Sequence, residues 1–139
     1  MNNCVVDASV WVARIISTDI FHSLVAEWMD GQRSSGNGFL APSLLLSGVA
    51  GVVSRRTQSP DLASSVVEQL QKLPELKLVE MDAKLTQQAA ALAARLGLRG
   101  ADAFYTAAAN YLHVPLVTLD DDQALRSSYL VEVIRLSGK

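Results

Sequence analysis

The chain has 139 residues, half of them hydrophobic and 19% charged, with one cysteine. So much apolar surface excludes a disordered chain. Twelve basic against fourteen acidic side chains leave a net charge of −2, which excludes a global basic field drawing in nucleic acid. The length suits a single domain spanning residues 1–139.

In chain order, Asn3–Val6 is a short apolar strand of the kind buried on both faces. Its Cys4 has no possible internal disulfide partner and reads as a buried thiol. The start, Met1-Asn2-Asn3-Cys4, lacks the basic residues and long apolar run of a secretory leader, so the cytoplasm is the expected compartment. Ser9–Ile16 and Ile20–Asp30 read as helices parted by Ser17-Thr18-Asp19. No residue between Arg33 and Arg55 is charged, yet Gly36, Asn37, Gly38, Pro42 and several serines break the run. It makes a poor membrane span, and Pro42–Arg56 reads as a buried helix with proline near its first turn and arginines at its end. Asp61–Lys72 is a helix with a capping signal at Ser59-Pro60-Asp61, and Leu76–Val79 is a second strand.

Ala83–Leu96 carries Leu85, Ala89, Leu92 and Leu96 on one face, and Gly97 closes it. Ala101–Leu112 is a helix apolar nearly all round, Leu116–Leu119 a third strand, Asp122–Ser127 a short helix and Leu130–Ile134 a last strand. Strands interleaved with helices imply an α/β fold with a mainly parallel sheet and right-handed crossovers.

In such sheets ligands bind outside the carboxyl ends of the strands. Asp7 directly follows the first strand, and Asp120-Asp121-Asp122 follow Leu116–Leu119. Asp102 opens its helix and shares a stripe with Thr106 and Asn110, which suggests a cleft. Asp7, Asp102 and Asp122 taken singly serve equally well as helix N-caps. Gathered at one sheet edge, they acquire another use. Two carboxylates ~4 Å apart repel by roughly 4 kcal/mol at an effective dielectric of about 20, so a cluster captures protons or holds a cation. Oxygen ligands without His or Cys select Mg²⁺ or Mn²⁺, and such an ion suits phosphodiester hydrolysis. His22 and His113 are isolated and read as surface or satisfied histidines, and Trp11 and Trp28 as core or oligomer contacts. No nucleophile elbow, phosphate-binding glycine loop or dinucleotide fingerprint occurs.

The segments Val5-Val6-Asp7-Ala8-Ser9-Val10-Trp11, Ala41-Pro42-Ser43-Leu44-Leu45-Leu46, Leu98-Arg99-Gly100-Ala101-Asp102-Ala103-Phe104-Tyr105 and Pro115-Leu116-Val117-Thr118-Leu119-Asp120 carry a resemblance. In order and spacing the chain resembles the PIN-domain ribonuclease family, especially the VapC-type toxins of bacterial and archaeal toxin–antitoxin pairs. The resemblance implies a three-layer α/β/α sandwich around a central, mainly parallel sheet. It implies an acidic Mg²⁺ or Mn²⁺ site that cleaves single-stranded or looped RNA, with Asp7, Asp102 and Asp120 as catalytic and metal-holding residues. Ser9, Thr118 and Asp122 would support them. Arg14 and Arg99 would position RNA phosphates, whereas Arg55 and Arg56 read as solvated or dipole partners. A small antitoxin would insert a segment near the cleft, and the chain would form a homodimer.

One position departs from the family pattern. Gly48 stands where a glutamate is expected. Either Gly48 and Gly51 form a small-residue face for close helix packing, or a carboxylate is lost and water, Asp121 or Asp122 compensates. The latter leaves open a weakened PIN module that binds RNA or a protein partner without efficient cleavage. A haloacid-type phosphatase also uses an aspartate at a strand end, but it needs a catalytic lysine, and neither Lys77 nor Lys84 is well placed.

Overall fold

The structure, a computed structural model, describes residues 2–137. Five short strands, β1 (Cys4–Val6), β2 (Phe39–Pro42), β3 (Leu76–Val79), β4 (Leu116–Thr118) and β5 (Val133–Arg135), form one sheet. All pairings are parallel, in the order β3-β2-β1-β4-β5. The helices are α1 (Ala8–Ile15), α2 (His22–Ser34), α3 (Leu45–Thr57), α4 (Pro60–Lys72), α5 (Ala83–Leu96), α6 (Gly100–Leu112) and α7 (Asp121–Ser127).

Right-handed crossovers assign the layers. The chain steps from β1 through β2 to β3 in one direction, which puts α1 to α4 on one face. The return to β4 and on to β5 puts α5 to α7 on the other. Packing agrees, since α1 touches α2 and α3, α3 touches α4, and α5 touches α6. The result is the expected three-layer α/β/α sandwich. Its central strands are buried on both sides, with Val5, Val6, Leu116 and Val117 sealed from solvent.

Three segments differ from the sequence expectation. Pro42 ends a strand rather than starting a helix, and α3 begins only at Leu45. Proline is tolerated there because it is the last residue of β2; the next ladder donor is the Ser43 N–H, which bonds the Val79 carbonyl at 2.9 Å. Phe39 anchors this strand between Trp11, edge-on at 5.7 Å, and Trp28 at 5.8 Å, so both tryptophans serve the core. β5 starts at Val133 instead of Leu130, because the N–H groups of Leu130 and Val131 both bond the Ser127 carbonyl and extend the turn after α7. α2 starts at His22, after Asp19 accepts the Phe21 N–H in a local turn, and runs on to Ser34. Gly97 closes α5 at φ 71°, as its position suggested. Among the described residues no helix is long and apolar enough to cross a membrane.

Candidate active site

β1 and β4 lie side by side, and from their carboxyl ends the chain departs to opposite faces, into α1 and α7. That divergence opens a crevice at the sheet's switch point. Asp7 ends β1 there, and Asp120 follows β4. Each also caps the helix it enters: the Asp7 carboxylate accepts the Ser9 N–H, and Asp120 accepts the N–H groups of Asp122 and Gln123. Asp102 lies in the first turn of α6 without capping it.

Asp7 is 4% exposed and has three donors. Its Oδ1 accepts from the Ser9 N–H at 3.1 Å and the Ser9 hydroxyl at 2.5 Å, and its Oδ2 from the Thr118 hydroxyl at 2.7 Å. Both hydroxyls are themselves oriented, since Ser9 Oγ accepts the Leu119 N–H and Thr118 Oγ1 the Asp120 N–H. No cation faces this carboxylate among the described ion pairs. Burial therefore dominates, and with the charge of Asp102 adding to it, Asp7 is pushed up to about 6 despite its hydrogen bonds. Asp102, half-buried, is also raised by burial.

Arg99 ties the two outer carboxylates together. Its Nε donates to Asp102 Oδ2 at 3.2 Å and its Nη2 to Asp120 Oδ2 at 2.6 Å. Asp121 and Asp122 turn outward, to Arg135 at 3.6 Å and Arg126 at 2.9 Å. Asp122 makes no side-chain hydrogen bond to the other carboxylates, though its charge adds to the rise of Asp102. Its backbone N–H bonds Asp120. The donor set fits a hard, hydrated divalent ion: oxygen atoms only, with one buried carboxylate lacking a counter-charge. Among the described residues no three acidic, histidine or cysteine side chains converge at metal-holding distance. An ion here would accordingly keep water among its ligands, as Mg²⁺ does by preference.

The family model for the PIN domain matches residues 4–127. The chain belongs to the PIN domain family. No curated protein matches it by sequence. By structure it is similar to VapC20 of Mycobacterium tuberculosis, a sarcin-ricin loop cleaving toxin, with a TM-score of 0.77 and 18% identity over 95% of this chain and 98% of that one. It is similar to VapBC2 of Rickettsia felis bound to a DNA fragment from its promoter, at TM-score 0.71 and 14% identity over 96% and 98%. FitAcB of Neisseria gonorrhoeae gives TM-score 0.70 and 16% identity over 98% and 99%. At these identities the structures establish a shared fold.

Within this PIN domain, packing does not explain Gly48. A Cβ built there meets only the Ala8 Cβ, at 3.9 Å, which is ordinary contact. The position next to Ala8, the residue after Asp7, is open to a side chain. Gly51 is tighter, but its neighbour at 3.3 Å is the end of the Arg55 side chain. Arg14 is not among the groups at the acidic end. α1 carries it about 10 Å back along the helix axis, into a hollow with Trp11, Arg33, Val66 and Leu70. Arg56 pairs with Asp19 at 3.0 Å, and His22 is satisfied by the Ala13 carbonyl at 2.9 Å. Lys84, one of the two lysines weighed for the phosphatase alternative, sits over the Tyr111 ring.

The polar stripe on α6 is split. Asp102 faces the site, Thr106 is sealed against Ser127 at 2.7 Å, and Asn110 is exposed. Two buried residues went unread in the sequence. Gln123, fully buried, donates from Nε2 to the Asp102 carbonyl at 3.2 Å, with its Oε1 3.3 Å from the Thr118 hydroxyl. It thereby links α7, α6 and β4. Tyr105 buries a hydroxyl without a hydrogen-bond partner, and burial followed by the charges of Asp7 and Asp102 raises its pKa. The signal for both was spacing: each lies three residues after a site aspartate.

Proposed function

We propose that this PIN domain is a Mg²⁺- or Mn²⁺-dependent endoribonuclease acting on single-stranded or looped RNA. We further propose that it is the toxin of a toxin–antitoxin pair, forming a homodimer and held in check by a small antitoxin protein. The observation that carries the nuclease reading is Asp7, a buried carboxylate at the switch point with no counter-charge and two more carboxylates nearby. The similar folds of a loop-cleaving toxin and of toxin–antitoxin complexes support the wider reading.

Asp7, Asp102 and Asp120 would hold the ion. When bound, it supplies an activated water and neutralises charge developing on the phosphate. The chain's own part is positional. Asp7 Oδ1 is filled by two donors from Ser9, so Oδ2, with the single Thr118 donor, is the atom left for a cation. Below about pH 6 Asp7 keeps a proton, so ion binding releases it and weakens in acid. A hollow of about 810 Å³ lies at the other end of the sheet, lined by Asn3, Gly38, Pro74 and Glu75, and none of the three site aspartates joins it.

The second reading is a weakened module that binds RNA or a partner, and Gly48 is the observation that favours it. Cleavage of a structured RNA pool with and without Mn²⁺ or Mg²⁺, alongside Asp7→Asn purified identically, separates the two. Metal-dependent cleavage that drops at least ~100-fold in Asp7→Asn is the expected result. Equal cleavage by both preparations would defeat the nuclease assignment, and silence from both would favour the binding module.

A further inference from the structure

Asp120 Oδ1 is already filled by the backbone N–H groups of Asp122 and Gln123, at 2.9 and 3.0 Å. Only Oδ2 remains for a cation, and Arg99 Nη2 holds it at 2.6 Å. The same guanidinium takes Asp102 Oδ2 through Nε at 3.2 Å. A divalent ion drawing on Asp102 and Asp120 must therefore compete with Arg99 for the same oxygens. Two like charges on one carboxylate oxygen repel strongly at such range.

We infer that Arg99 is an exchangeable cation, bridging Asp102 and Asp120 until a divalent ion displaces it and then free to bind the phosphate of the arriving RNA. The inference rests on the assignment of Asp102 and Asp120 as ion-holding residues. Three features make the exchange cheap. The Arg99 side chain is 67% exposed, so release returns it to water with little loss. It precedes α6 as its N-cap residue and makes no side-chain cap bond, so moving it leaves the helix start intact. Its only described ion-pair partners are the two carboxylates it would surrender. Guanidinium also binds a phosphate through paired donors as readily as it binds carboxylates. The charge that bridges the two carboxylates thus becomes available for substrate at the moment the ion arrives.

The test is the Mn²⁺ affinity of the whole chain, read by titration calorimetry and by electron paramagnetic resonance of free Mn²⁺. Wild type, Arg99→Gln, Arg99→Lys and Asp102→Asn are compared, with circular dichroism checking the fold. Exchange predicts that Arg99→Gln binds Mn²⁺ at least about three-fold more tightly than wild type, with Arg99→Lys between them and Asp102→Asn weaker. At saturating Mn²⁺, Arg99→Gln should also show a raised KM for RNA. The two effects have opposite signs, which a merely structural role would not produce. Equal or weaker Mn²⁺ binding by Arg99→Gln overturns the exchange while leaving the metal site standing. No Mn²⁺ binding by wild type or Arg99→Gln overturns the metal site and the exchange with it.

Discussion

The two ends of the sheet treat their carboxylates in opposite ways. At the amino end Arg33 pairs with Glu75 at 2.6 Å and with Asp30 at 3.0 Å. Burial pushes Glu75 up, but a backbone hydrogen bond and the Arg33 charge outweigh it and hold the carboxyl below its usual range. At the carboxyl end Asp7 has more hydrogen bonds and no cation, and it is raised to about 6. Asp7 is sealed where Glu75 is part-exposed, and donors that carry no charge do not offset that loss of water. The amino end is thus electrostatically closed, and the carboxyl end stores an unfavourable energy that a cation would relieve. Stability has been given up at the candidate site.

Asp7→Asn should break this contrast most. The native carboxyl holds a proton up to about pH 6, whereas the unfolded one loses it near 3.8. The native state therefore binds the extra proton, and stability falls as pH rises between these values. Metal-free Asp7→Asn should exceed wild type by up to about 3 kcal/mol at pH 7.5 and match it near pH 4, measured by urea unfolding in chelator. The new amide can donate to Thr118, whose proton then turns to Gln123 Oε1 at 3.3 Å. A wild-type stability that does not change between pH 4 and 7 would show that Asp7 is not desolvated.

Gln123→Ala should cost about 1–3 kcal/mol, because it strips a partner from a sealed network, and thermal unfolding reads this directly. Gly48→Ala should go the other way, gaining about 1 kcal/mol, since helix propensity improves and the only neighbour is 3.9 Å away. A loss instead would restore the packing explanation. The smallest effect belongs to the closed end: Glu75→Gln should cost no more than about 1 kcal/mol and lose even that in high salt.

The carboxyl end was the more legible of the two in sequence. Asp7 and Asp120 stand directly after apolar strands, so strand recognition alone delivers them to one crevice. Apolar runs such as Cys4-Val5-Val6 and Leu116-Val117 are short but unmistakably buried. Phe39–Pro42 escaped notice because the proline obscures so short a strand, and its register with Val79 is a tertiary fact. Gln123 escaped because a glutamine among aspartates on a seven-residue helix reads as solvated. Its burial depends on how α7 meets α6, which no local pattern encodes. Arg14 was misplaced for a related reason, as a helix leaving a strand end carries its own last turn away from that end.

The Thr118 to Asp7 hydrogen bond joins residues 111 positions apart. Contacts of such sequence separation form late, because a long stretch of chain must be ordered before they give any return. On the ribosome Asp7 emerges early but waits for β4, almost the last strand to appear, before its carboxylate is enclosed. A nascent chain stopped short of β4 lacks both Thr118 and Asp120, so it cannot enclose Asp7. The order of synthesis thus becomes a safeguard: a half-made copy has no site.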